Sequence, residues 1–410
     1  MLSVKTPEEV LQIISERFAP TQLTEALAPE AACGRVLAED VLCSEYIPGF
    51  DRSTVDGYAL RAADTFGCSE AIPAVLPSDA AVEMGSEAAS PLSAGCCAPI
   101  PTGGALPVGA DSVVMIEYTE DYGDGTVGIF RPAAPGENVI YRGDDAVPGS
   151  VILPAGRTLT VPDIGALAAL GVTAVNVKKA PAIGIISTGD ELVPVSASPK
   201  SGQVRDVNSS LLGAMCADAG ADVRFFGIIP DEESALGAAL DSALGCCDTV
   251  IISGGSSVGL KDMAERLMME RGELLLHGIA MKPGKPTLLS DIGGKPVWGL
   301  PGHPVAAFFT ADLFVRPLLA RMGGRELHRM STRALLAAPV SANHGRAQYT
   351  GVHLRREGGV LYADPIRSKS GLIISLAASD GYFCIPRDCE GMSAGEEISV
   401  TLYHSQYKEV

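Results

Sequence analysis

The sequence predicts a multidomain α/β protein, built round a central three-layer α/β domain with a mostly parallel sheet. Three observations carry that expectation. At 410 residues the chain exceeds the size at which one hydrophobic core keeps growing. From Pro181 to Met322, apolar strand-like runs alternate with helix-like segments, the texture of a parallel sheet covered on both faces. On either side the chain turns to short β-type runs separated by Gly and Pro. The expected domains are 1–44 together with 146–180, an inserted β-rich domain at 45–145, the α/β domain at 181–325 and a C-terminal β domain at 326–410.

The elements follow in order. Before Ser44, the positions Val10, Leu11, Ile14 and Phe18 predict one apolar helix face. Between Glu45 and Val147, runs such as SVVMIEYTE and TVGIFRP predict short strands, because frequent Gly and Pro stop long helices. VPDIGALAALGV, Val161 to Val172, reads as a helix with Pro162 in its first turn and Gly171 at its stop. In the α/β region, strands are expected at Ala182–Ser187, Val223–Ile229, Thr249–Ser253 and Leu274–Met281. Helices are expected at Asn208–Ala219, capped by Asn208 or Ser209, and at Glu232–Leu244, Lys261–Arg271 and Val305–Arg321. After Leu327, TGVHLRR, VLYADPI, GYFCIP and EEISVTLYH predict a β-barrel or sandwich.

Composition narrows the function. Hydrophobic residues at 47% and charged residues at 20% describe an ordered globular chain. A net charge of −18 argues against nucleic acid or an anionic membrane as partner, since phosphate surfaces are bound through Lys and Arg. With no basic-then-apolar leader and no apolar run near membrane length, a soluble cytoplasmic protein is expected. The ten cysteines include the vicinal pairs Cys96-Cys97 and Cys246-Cys247 but no C-x-x-C, which predicts reduced thiols. The six histidines show no zinc-ligand spacing.

The loops after the expected strands concentrate functional groups. They are STGDEL (Ser187 to Leu192), IPDEE with Asp231, the SGGSSVG loop leading to Asp262, MKPGKP (Met281 to Pro286) and GLPGHP (Gly299 to Pro304). Glu191, Asp231 and Asp262 are candidate oxygen ligands for Mg²⁺, or else first-turn acids of helices. MKPGKP fixes Lys282 and Lys285 as neighbouring cations on a stiff turn, suited to an oxyanion. His303 reads as an N-cap, a ligand contact or a general acid. Gly255 to Gly259 fits both a G-x-S-x-G nucleophile elbow and a backbone phosphate cradle. Nearer the N-terminus, FDRSTVDGYAL (Asp51, Asp56), PIPTGGALPVGAD (Thr102) and GENVIYRGDD (Arg142, Asp144, Asp145) are either tight turns or site segments.

Taken together, DRSTVDGYAL, PTGGALPVGAD, GENVIYRGDD, STGDEL, RDVN, SGGSSVG, MKPGKP, GLPGHPV, GRAQY and SKSGLIISL resemble the MoeA family, the molybdopterin molybdenumtransferases, which include the E domains of gephyrin and plant Cnx proteins. The resemblance implies a MoaB/MogA-like central domain and a homodimer whose site is shared between subunits. It implies insertion of molybdate, or tungstate, into adenylated molybdopterin with release of AMP and a need for Mg²⁺. Lys282, Lys285, Arg346 and Ser370 (or Ser375) would then hold the oxyanion. Ser187, Thr188, Gly189, Asp190, Gly254, Gly255, Ser256, Ser257, Gly259, Pro301 and Gly302 would hold the pterin and nucleotide phosphate. Glu191, Asp231 and Asp262 would serve catalysis and Mg²⁺, with Asp56, Thr102 and Asp145 contributed across the dimer. A molybdopterin adenylyltransferase and acceptors on the molybdoenzyme side are the implied transient partners.

The chain departs from the family pattern at named positions. GLPGNPVS reads GLPGHPVA, with His303 and Ala306; SGGVSVG has Ser256; the acid pair is Asp144-Asp145; Ile140 and Val207 replace an Arg and a Thr or Ser. Two other classes therefore stand beside the transferase: a tungstate-preferring or catalytically weakened paralogue acting as a dimeric scaffold, and a serine hydrolase using Ser257 with Asp291 and His303.

Overall fold

The structure, a computed structural model, describes residues 4–254, 258–366 and 371–403, excluding the side chains of residues 258–261. The chain forms two compact units. One comprises Met1–Glu25, Gly34–Val36 and Val177–Val410, the other Ala26–Cys33 and Leu37–Asn176.

The larger unit is centred on a six-stranded sheet in the order Asp222–Ile229, Ala182–Thr188, Thr249–Gly254, Lys295–Leu300, Leu288–Ile292, Glu273–His277. The first four strands are parallel, and Leu288–Ile292 is antiparallel to both of its neighbours. Ala182–Thr188 is buried along its whole length, so its alternate side chains feed two cores. Ile183 and Ile185 pack on one face with Trp298, Phe309 and Phe314. Ile186 packs on the other with Leu236, Leu240 and Met268. Two apolar layers around one sheet give the expected three-layer domain.

The strand order reverses beside Ala182–Thr188: the chain goes first to Asp222–Ile229 on one side, then crosses to Thr249–Gly254 on the other. Such a switch point opens a crevice at the carboxyl ends of the strands. Gly254 permits the close approach there, since a Cβ at that position would lie 2.1 Å from the Thr188 carbonyl oxygen.

Beyond the sheet, five strands close into a barrel: Ala347–Glu357, Val360–Pro365, Ser331–Leu336, Glu397–Leu402 and Gly381–Ile385, the last pairing back to the first. Closure removes the edges that a sandwich would expose, and Phe383, Ile385, Val352 and Val400 fill the interior. A sixth, two-residue strand, Met281–Lys282, pairs in parallel with Ala347–Gln348 and ties the barrel to the α/β sheet.

The N-terminal helix Pro7–Arg17 starts at a capping box: the Glu9 amide donates to Thr6 Oγ1 and the Thr6 amide to the Glu9 carboxylate. Val10, Ile14 and Phe18 join the core, but Leu11 is 42% exposed, because it lies about 100° round the helix from Val10. In the smaller unit, two three-stranded sheets use Gly57–Leu60, Ala98–Ile100 and Ser112–Met115, and Ala74–Pro77, Thr119–Asp121 and Thr126–Ile129. The expected helix there is Val161–Ala169, capped by Thr160 with Asp163.

Several expectations are corrected. The helix after RDVN runs Val207–Asp218, and its N-cap is Asp206, whose carboxylate accepts from the Ser209 amide. Asn208 is instead buried within the first turn. The single strand expected over Leu274–Met281 is two: Glu273–His277 in the α/β sheet and Met281–Lys282 beside the barrel. The hairpin of Leu288–Ile292 with Lys295–Leu300, turning at Gly293-Gly294, was not anticipated. The helix expected over Val305–Arg321 starts at Pro304 and passes through a π turn, Ala311–Val315, before Arg316–Met322.

Candidate functional site

Where the two-residue strand joins the barrel, a cavity of 960 Å³ opens. Lys282, Lys285 and Arg346 line it, with Pro301, His303 and Ala306, and among the described residues no carboxylate is on its wall. The pairing explains the convergence: Met281 lies opposite Ala347 and Lys282 opposite Gln348, so Arg346 stands one residue from the same register. The lysine loop is pinned from below. Thr287 Oγ1 donates to the Gly284 carbonyl at 2.8 Å, and the Thr310 hydroxyl lies 3.4 Å from that of Thr287. Gly284 has φ +112°, and a Cβ there would sit 2.8 Å from Thr310 Oγ1, so the turn requires glycine.

Across the cavity, Tyr349 packs against Phe309, and burial pushes its phenol above its usual range, which keeps it neutral. Gln348 is buried; its amide donates to the Ser341 carbonyl at 3.1 Å, while its own carbonyl oxygen has no partner. His303 occupies the N-cap of Pro304–Thr310 without a side-chain capping bond. Ser370 lies outside the described residues, and Ser375, its alternative, lines the cavity.

A second cluster sits at the sheet's switch point. Thr188 Oγ1 donates to Asp231 at 2.8 Å. Asp190 and Asp231 exchange backbone-to-carboxylate bonds at 3.3 and 3.2 Å. The Glu191 carboxylate folds over Gly189, where a Cβ would lie 2.9 Å from Oε2. Ser187 is buried, and its hydroxyl has no partner among the described residues. Asn208 connects this cluster to the cavity loop: its amide donates to Ser253 Oγ and to the Gly302 carbonyl, both at 2.9 Å. Its own carbonyl oxygen is buried and has no partner among the described residues. Two orphaned polar atoms at strand ends are what a bound polar ligand would satisfy.

Asp262 is exposed on the helix Val258–Arg271, which also carries Gly259, while Gly255, Ser256 and Ser257 lie outside the described residues. Among the described residues, no three carboxylate, histidine or cysteine side chains stand together as a metal cage, so Glu191, Asp231 and Asp262 do not form one unaided.

In the smaller unit, the three N-terminal segments are knitted into one surface. The Ser53 amide donates to the Gly104 carbonyl, the Thr54 amide to that of Asn138, and the Arg142 amide to the Asp51 carboxylate. Asp56 accepts from the Thr102 amide at 2.7 Å and its hydroxyl at 3.0 Å, which holds the carboxyl below its usual range. Asp145, exposed on the adjoining loop, donates its backbone amide to the Ile47 carbonyl. The Arg142 guanidinium lies over the Tyr46 ring at 4.1 Å.

The hydrolase reading does not survive this geometry. Asp291 pairs with Pro296 near the start of the strand Lys295–Leu300, holds the Gly294 amide and faces Arg17. His303 follows the far end of that strand. At a rise of ~3.3 Å per residue the two are separated by roughly 13 Å of strand, too far for a triad. Sequence reading also passed over Asn208 and Gln348 as site residues. RDVN and GRAQY were the available signals, but nothing local marks either amide as buried.

Known proteins now bear on the chain. Family models match in succession: "MoeA N-terminal region (domain I and II)" over residues 5–171, "Probable molybdopterin binding domain" over 184–321 and "MoeA C-terminal region (domain IV)" over 333–403. A molybdopterin molybdenumtransferase of Bacillus subtilis is 31% identical over 99% of this chain and 96% of its own. Molybdopterin molybdenumtransferase 2 of Mycobacterium tuberculosis is 33% identical over 90% of this chain and 92% of its own. A crystal structure of a molybdopterin biosynthesis MoeA protein from Pyrococcus horikoshii superimposes with a TM-score of 0.84 at 37% identity, covering 98% of this chain and all of that one. Matched from residue 5 to residue 403 and in overall fold, the chain belongs to the MoeA family.

Proposed function

We propose that this protein inserts molybdate into adenylated molybdopterin and releases AMP. The observation that carries the reading is the cavity in which Lys282, Lys285 and Arg346 converge with no carboxylate among the described residues of the wall, on a chain with 49 acids and 31 bases. Such a site discriminates for a small dianion: charge-assisted hydrogen bonds from two ammonium groups and a planar guanidinium hold the oxygens. The neutral Tyr349 and Gln348 add no opposing charge.

The pterin and its phosphates are assigned to the switch-point cluster, where Ser187 and Asn208 keep unpaired polar atoms. Asn208 couples that cluster to the Gly302 loop, so substrate and oxyanion are presented on one rigid support. Mg²⁺ fits the oxygen donors there only as an ion shared between Asp231, Glu191 and the substrate's own phosphates, the usual mode for this cation. When bound, it supplies charge neutralisation for the departing phosphate. Thr188 orients Asp231 for that task through its hydroxyl. The Asp56–Thr102 pair, its carboxylate held ionised, is assigned with Asp145 to the hydrolytic step on the site of a second copy, as a homodimer. Cytoplasmic residence and transient exchange with an adenylyltransferase belong to the same reading; among the described residues no helix is long and apolar enough to cross a membrane.

The deciding experiment incubates the purified chain with adenylated molybdopterin, Mg²⁺ and either molybdate or tungstate. Oxyanion-dependent AMP release is expected. The absence of AMP release with both oxyanions would overturn the transferase reading. His303 and Ala306 line the cavity, so the ratio of the two rates measures what those departures do.

A further inference from the structure

A second cavity, of 670 Å³, shares no lining residue with the first. Lys178, Arg321, Arg325 and Arg329 line it against a single carboxylate among the described residues, Glu326, inverting the charge balance of the whole chain. Two of these cations are engaged. Arg321 donates to the Phe18 and Ser15 carbonyls at 2.8 and 2.6 Å, and Arg329 pairs with Asp312 at 3.5 Å. The Lys178 ammonium and the Arg325 guanidinium have no hydrogen-bond or ion-pair partner among the described residues.

Both free heads are nevertheless seated. A Cβ on Gly220, in the turn after the helix Val207–Asp218, would lie 2.3 Å from Arg325 Nη2. A Cβ on Gly324 would lie 2.9 Å from Lys178 Nζ. Packing thus holds two cations in place without a counter-ion. Burial pulls the Arg325 guanidinium below its usual range; Arg316 and Arg35 push the same way, and Asp218 opposes them. A half-buried charge among like charges is costly until an anion joins it. One wall is apolar, formed by Leu313, Leu327 and Leu11, the residue left exposed on the N-terminal helix.

We propose that this cavity is a second anion site, taking a small phosphorylated organic molecule with its phosphate between Lys178 and Arg325 and its apolar part against Leu11 and Leu327. It is independent of the transferase reading. Phenyl phosphate is the probe, titrated calorimetrically into the full chain at fixed ionic strength, with phenol and citrate as controls. Saturable one-to-one binding is expected, unchanged in Lys285→Ala and at least tenfold weaker in both Arg325→Gln and Lys178→Met. Ligand-free Arg325→Gln should melt no lower than the parent, since it loses an uncompensated charge; should it fail to fold, Lys178→Met decides. Absence of saturable binding overturns the proposal. So does binding lost in Lys285→Ala but kept in Arg325→Gln, or citrate binding as tightly as phenyl phosphate.

Discussion

Lys282 and Lys285 come from one six-residue loop, and their separation is set by what lies beneath it. Removing one charge-assisted contact to a dianion costs about 1.5–3 kcal/mol, so Lys285→Ala should weaken molybdate binding roughly 10- to 100-fold. Because Lys285 is exposed, its melting temperature should stay within a degree or two of the parent's. A parallel loss of both, read by calorimetry and thermal unfolding, would make the lysine structural. Gly284 is the reverse case. With φ +112° and Thr310 Oγ1 2.8 Å from where a Cβ would stand, Gly284→Ala should cost about 1–3 kcal/mol in urea unfolding. Oxyanion affinity should fall with it, although no charge has been touched.

At the scale of elements, the helix that runs from Pro304 to Met322 carries a buried ionic junction at its π turn. Asp312, 4% exposed, accepts from Arg316 at 2.7 Å and from the Tyr382 hydroxyl at 2.7 Å. Burial lowers the Arg316 pKa, yet the bonds to Asp312 and Asp218 leave it raised overall. Asp312→Ala leaves the Arg316 guanidinium only Asp218 and takes the carboxylate from Arg329 and the Tyr382 hydroxyl; it should cost about 3–5 kcal/mol, seen as an early urea midpoint, and a loss under 1 kcal/mol would show the junction to be dispensable. Sequence made some elements legible and hid others for physical reasons. Ala182–Thr188 and Thr249–Gly254 were readable because each is built on an unbroken apolar run, Ala182–Ile186 and Val250–Ile252. Leu288–Ile292 was not, because LLSDI breaks the run with polar residues near a sheet edge. The cations of MKPGKP announced themselves because charge between prolines has no use in packing. Asn208 and Gln348 stayed hidden, since an amide looks the same whether it meets water or a carbonyl 94 residues away, as Asn208 meets Gly302.

Across the whole molecule, the lowered carboxyls set the response to acid. Asp163 is held below its usual range: burial raises it, but Arg157 and the Thr160 cap outweigh that. Glu25, through Arg35, and Asp241, through Arg271, are also lowered. A group lowered by folding stabilises the native state above its unfolded pKa, near 4 for such acids, and loses that contribution as pH falls through the folded value. Stability in urea should therefore hold from pH 7 to about 5 and drop below about 4. Asp163→Asn should flatten the drop; an unchanged acid limb would remove Asp163 from the account. The proposed shared-site dimer has its own test. Asp56→Asn and Lys285→Ala, each strongly impaired alone at limiting molybdate, should regain AMP release when the two are unfolded and refolded together, because a mixed dimer of that kind keeps one intact site. No recovery, with mixed dimers confirmed by mass, would place the whole site within one subunit.

The two-residue pairing of Met281–Lys282 with Ala347–Gln348 has a mechanical consequence. Its ladder, including the Ala347 amide bond to the Ala280 carbonyl at 2.9 Å, is short and sits at the pocket's rim, while Tyr382, packed on Phe309 and bonded to Asp312, anchors the barrel further back. An oxyanion held as proposed, by Lys282 on one side and Arg346 on the other, would act as a rivet through that seam. Its binding energy opposes local opening in proportion to ligand concentration, so exchange of the Ala347 amide with solvent should slow as the pocket fills.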